Sequence, residues 1–172
     1  MESVLWYQHL FQTERGRDCL TRYRRELCLL LWRQWSPDWR FEESTFERTA
    51  DSFDNPDFVD VVIYAYRHMF GLAAGDPLLD SLESRLAERP LIIVPAVTLD
   101  GRSDTLKPGG TADQAHMFTG RHEHRQVDAG HNLPQEAPAA FADAVLTVRQ
   151  WVRDHEKQTR GNALDLSDPA DT

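Results

Sequence analysis

Apolar residues recur every three or four positions over Cys19–Leu31, where Leu20, Tyr23, Leu27, Leu30 and Leu31 draw one helical stripe. Trp32, Trp35 and Trp39 follow, with Ser36-Pro37 breaking the pattern between them. A second helix starts at Asn55-Pro56, with Asn55 as N-cap and Pro56 in the first helical position. Asp57 puts a negative charge in that first turn, where the helix dipole favours it. Phe58, Val61, Val62, Ala65 and Met69 form its apolar face, and Gly71 is its expected stop. A shorter helix is expected over Pro77–Ala87. Residues 1–88 therefore read as a helical region.

The pattern changes at Pro90. Leu91-Ile92-Ile93-Val94 is continuously apolar, which predicts a buried parallel strand covered on both faces. A second, more polar strand is expected over His124–Asp128, at a sheet edge. A loop around Pro108-Gly109-Gly110 and a short helix near Ala112–Phe118 lie between the two. The last helix is predicted over Ala137–His155, with Phe141, Val145, Val148 and Val152 on one face. From Lys157 the chain turns polar, and 157–172 is expected to be a disordered tail. The division is thus 1–88, 89–156 and the tail.

Composition narrows the function classes. At 172 residues, 41% hydrophobic and 27% charged, the chain has the length and balance of one globular domain. A net charge of −9 argues against a nucleic-acid partner. The cluster Arg22, Arg24, Arg25 reads as a solvated helix face. Cys19 and Cys28 would lie about 13 Å apart on one helix at ~1.5 Å per residue, too far for a disulfide. No signal peptide and no apolar run long enough for a membrane span is evident, so no membrane partner and a cytoplasmic location are expected.

The candidate chemistry lies after the two strands. Leu99-Asp100-Gly101-Arg102-Ser103-Asp104 ends a strand in a carboxylate. Arg125-Gln126-Val127-Asp128 leads into Ala129-Gly130-His131-Asn132-Leu133-Pro134. A histidine base needs a carboxylate on its other ring nitrogen, and Asp104 can serve His131 in that way. Both would sit at the carboxyl ends of neighbouring parallel strands. His116, His122, His124 and His131 fall close together, but their spacing fits no structural zinc pattern, so no metal and no cofactor are expected.

Val94–Asp104 resembles the acid strand and turn of the α/β-hydrolase fold superfamily, and Ala129–Pro138 resembles its histidine loop. The helical region before them is similar to the lid of that family, and the resemblance runs to about residue 153. It implies an α/β class: a partial α/β-hydrolase fold with a mostly helical lid, then two parallel strands and a C-terminal helix. It also implies Asp104 and His131 as catalytic acid and base. Tyr66-Arg67 looks like the lid motif whose Tyr hydroxyls polarise an epoxide oxygen. Tyr64, Tyr66 and Trp35 are therefore the expected substrate-binding residues. No G-x-S-x-G elbow is present. The family's nucleophile, Ser in esterases or Asp in epoxide hydrolases, is missing, so the expectation is a truncated hydrolase of ester, epoxide or related small-molecule bonds, inactive alone. The alternative is a non-catalytic interaction or remnant protein on the same scaffold. An open sheet edge would also favour a homo-oligomer.

Overall fold

A computed structural model describes residues 2–165, with side chains described for 4–159. Helix α1 (Glu2–Leu10) turns tightly into α2 (Glu14–Trp35). Thr13 caps α2 by accepting the Gly16 N–H at 3.1 Å. A Cβ on Gly16 would lie 2.0 Å from the Leu10 carbonyl oxygen, so the turn admits no side chain there. Leu20, Leu27 and Leu31 are buried, but Tyr23 and Leu30 are exposed. Non-helical backbone at Tyr23 (φ −130°, ψ 34°) interrupts the expected stripe. Leu30 sits at the stripe's margin, since at ~100° per residue Leu20, Leu27 and Leu31 share a narrower arc.

Helix α3 (Glu43–Ala50) and α4 (Phe58–Met69) complete a helical layer. The start of α4 follows the expected capping chemistry with its first regular residue slightly later. The Asn55 side chain accepts the Asp57 N–H at 2.9 Å, and the Asn55 carbonyl accepts Phe58 N–H at 3.0 Å. At the other end, Leu72 N–H returns to the Arg67 carbonyl and Gly71 N–H to that of His68, a Schellman stop with Gly71 at φ 71°. One buried cluster joins Tyr7, Phe11, Leu20, Leu27, Leu31 and Ile63, and another joins Trp32, Phe46, Ala50 and Phe53. The arginine run is more than a solvated face. Arg25 pairs with Glu47 and Asp51 across to α3 and the turn after it, and Arg24 donates to the Phe53 carbonyl at 2.7 Å.

The segment Pro77–Leu79 forms a 3₁₀ turn that runs into α5 (Asp80–Ala87), and Leu78, Leu79, Leu82 and Leu86 remain exposed. Strand β1 is Ala96–Gly101, not Leu91–Val94. It pairs in parallel with β2 (His122–Val127), in the register Ala96↔His122 to Gly101↔Val127. The expected strand is reduced to one bridge, Ile92↔Phe118. Hydrophobicity alone pointed to 91–94, but pairing selects the stretch after Pro95, which cannot donate to a ladder. Ile93 stays 76% exposed, since no element among the described residues covers 91–94. The crossover between the strands carries a 3₁₀ turn at Ala112–Met117.

A short helix α6 (Leu133–Glu136) leads into α7 (Pro138–Asp165), which lies against β1. Helix α7 runs past the expected end at His155 through 157–165, where a disordered tail was predicted. The remainder of that tail, 166–172, lies outside the described residues. Within α7, Ala144 is buried, but Phe141, Val145 and Val152 are exposed. No helix among the described residues is long and apolar enough to cross a membrane.

Leu20 is 1% exposed at the centre of the larger cluster. Leu20→Ala should cost about 2–5 kcal/mol in urea unfolding, through lost burial and the cavity left behind. A loss below about 1 kcal/mol would contradict this placement of the core.

Candidate active site

Asp104 lies just beyond β1 and His131 just beyond β2, so parallel pairing brings both loops to the same sheet end. His131 Nδ1 is 3.0 Å from Asp104 Oδ2. The other carboxylate oxygen, Oδ1, accepts the Leu106 N–H at 2.8 Å and the Lys107 N–H at 3.3 Å. The carboxylate is thus fixed by its own turn before it meets the ring. Pairing through Nδ1 leaves Nε2 on the far side of the imidazole, where a base must present it.

The histidine loop is fastened residue by residue. The Ala129 carbonyl accepts from Ser103 N–H at 3.1 Å, and Gly130 N–H donates to Glu136 Oε2 at 2.7 Å. His131 N–H reaches the Trp35 carbonyl at 3.3 Å. Asn132 donates its backbone N–H (3.1 Å) and its side-chain amide (3.0 Å) to Ser36 Oγ. The Trp35 ring meets that of His131 edge-on at 5.6 Å. Beside the pair an open cavity of about 640 Å³ is lined by Val97, Leu99, Leu133, Phe141 and Val145, with Asp104 and His131 on its wall.

The expected substrate-binding residues separate. Trp35 adjoins His131, and its indole Nε1 is buried without a hydrogen-bond partner. Tyr66 stands further back: Tyr7 bridges it to Trp35, with ring centroids 5.6 Å from Tyr66 and 5.4 Å from Trp35. Burial first, then the neighbouring Tyr7, pushes the Tyr66 hydroxyl far above its ordinary pKa and keeps it a proton donor. Tyr64 lies apart from this group. Its hydroxyl donates to the Ala74 carbonyl at 2.8 Å and its ring stacks on His68. Tyr7 went unnoticed in the sequence because α1 carries only a weak apolar pattern.

A second carboxylate–imidazole pair lies beneath the first. Asp100 is 8% exposed on β1 and meets His124 Nε2 of β2 at 2.6 Å. Its carboxylate also accepts the Thr111 N–H (2.6 Å) and hydroxyl (3.0 Å). A Cβ on Gly110 would fall 2.1 Å from Asp100 Oδ2, so glycine lets the crossover close over the acid. The remaining histidines are engaged singly: His116 with the Asp113 carbonyl and His122 with the Thr98 hydroxyl. Among the described residues no group of three or more His, Cys, Asp or Glu side chains is placed to hold a metal ion.

No family profile and no curated protein matches the sequence. A solved structure does. A candidate epoxide hydrolase from Klebsiella pneumoniae superposes with a TM-score of 0.83 at 38% identity. The match covers 87% of this chain and 50% of that one, so the chain spans about half the length of the structure it matches. The fold resembles part of an α/β-hydrolase.

Asp100 supplies a pH signature. Burial alone would raise its pKa, but the Thr111 amide, His124 and the Thr111 hydroxyl together hold the carboxyl below its usual range. Its stabilisation is therefore complete above the unfolded value of about 3.9 and is lost as pH falls towards the lower folded value. In denaturation from pH 7 to pH 3, Asp100→Asn should be less stable than the parent at neutrality, and the gap should narrow once the pH falls below about 4. A gap that does not change with pH would contradict this assignment.

Proposed function

We propose that residues 2–159 form the lid and the acid–base part of a hydrolase that opens small epoxides, with the nucleophile supplied from outside these residues. One observation carries the reading: His131 is paired through Nδ1 to Asp104 at 3.0 Å, beside an apolar cavity. The similarity to a candidate epoxide hydrolase supports it further.

In this reading a carboxylate from outside the described residues attacks one epoxide carbon. The ring C–O bond breaks, and the released oxygen takes a proton from solvent. His131 Nε2 then removes a proton from water, whose oxygen attacks the ester carbonyl. The diol leaves, the carboxylate is regenerated, and His131 returns its proton to solvent. Asp104 stabilises the imidazolium throughout the second step. Trp35, Val97, Leu99 and Phe141 would surround the apolar part of the substrate. Neither Ser36 nor Thr105, hydroxyls in contact with the two loops, is the nucleophile in this reading. Ser36 Oγ is occupied by Asn132, and the Thr105 hydroxyl donates to the Gln34 carbonyl.

The exposed apolar stretch Leu91–Val94 favours the alternative, a non-catalytic interaction protein on this scaffold. A chimera separates the two readings. The chain is joined to the half of the Klebsiella structure that it does not match and assayed with styrene oxide. Turnover that falls on the order of 10²-fold or more in His131→Ala supports the hydrolase reading. A folded chimera with no His131-dependent turnover contradicts it.

A further inference from the structure

Five hydrogen bonds, four of them at 3.3 Å or less, connect the last turn of α2 to the loops that carry the acid and the base. Thr105, next to Asp104 in the chain, donates its hydroxyl to the Gln34 carbonyl at 2.8 Å. On the other loop, His131 N–H reaches the Trp35 carbonyl, and Asn132 gives two hydrogens to Ser36 Oγ. Ser36 is 1% exposed. A Cβ on Gly130 would lie 2.7 Å from Ser36 Cα, so the base loop lies directly on the helix end with no room for a side chain between them.

The carbonyls of a helix's last turn lack partners within the helix. Those of Gln34 and Trp35 find theirs in the two functional loops. The contacts span about 70 to 96 residues of sequence, so no local turn could enforce them. The sheet fixes where β1 and β2 end, and Ser103 ties the two loops once more by donating to the Ala129 carbonyl, but Asp104 and His131 lie past that bond and take a further registration. The helix end supplies it to both loops at once.

We propose that the Gln34–Ser36 turn of α2 registers Asp104 against His131, and that Ser36 and Thr105 are positioning residues of the acid–base pair. Displacing this turn would then separate acid from base, so that the helical layer governs whether the pair exists. This rests on the functional reading only in calling the pair an acid and a base.

The test uses the full chain and a signal that needs no turnover. The His131 Nδ1–H proton, held by Asp104, is followed in ¹H–¹⁵N spectra of ring-labelled protein. Asp104→Asn identifies it by abolishing it. Ser36→Ala and Thr105→Val should each broaden or remove the signal, and Thr105→Ser, which keeps the hydroxyl, should retain it. Near-UV dichroism of the tryptophan-rich helices should be unchanged in the Thr105 variants. If Ser36→Ala does not fold, the contrast between Thr105→Val and Thr105→Ser decides. A signal that survives Thr105→Val, or that survives Asp104→Asn, overturns the proposal. An inactive chimera with the signal pattern intact would count against the epoxide reading alone.

Discussion

Ser36 ends a helix of 22 residues, has almost no contact with solvent, and accepts two hydrogens from a residue 96 positions away. The rest of the site depends on this seam. A two-stranded sheet is a weak platform by itself, and the strands stop short of both Asp104 and His131. What registers the two loops against each other, each already held by its own hydrogen bonds, is the end of α2, itself anchored by Leu20, Leu27 and Leu31 in the helical core. Buried polar groups are costly when unpaired, so Ser36 and Asn132 specify one arrangement more sharply than apolar contacts in that place could.

The physical consequence is a division of labour. Stability comes mainly from the helices, where both buried clusters lie. The sheet contributes direction: parallel pairing sends both strand ends to the same side. Asp100 secures the sheet to the crossover from below, through Thr111 and His124. Its apolar neighbours are less well provided for. Phe141 and Val145 of α7 face outwards along the cavity that Asp104 and His131 share, and Leu91–Val94 is exposed before the opposite end of β1.

Much of this was legible in the chain. The order acid then histidine, each after a strand, pointed to the contact that Asp104 and His131 make, and the Asn55 cap and Gly71 stop framed α4. The strand was misplaced because hydrophobicity measures how well a segment tolerates burial, not which segment finds a partner. Ile93 is more apolar than Thr98, yet Thr98 has the ladder. Tyr64 and Tyr66 look equivalent on paper, but two residues on a helix point about 200° apart, so only Tyr66 turns towards Tyr7 and Trp35. Ser36 and Thr105 carry no sequence signal at all. Their role exists only once residues 70 to 96 positions apart are brought together.

Native-state hydrogen exchange tests the central claim most directly. The amides of His131 and Asn132 lie in a loop but donate to the end of α2. If that seam organises the site, both amides should open with the same free energy as the C-terminal half of α2, as one cooperative unit. Rapid exchange of both, as in an ordinary surface loop, while α2 stays protected, would contradict it.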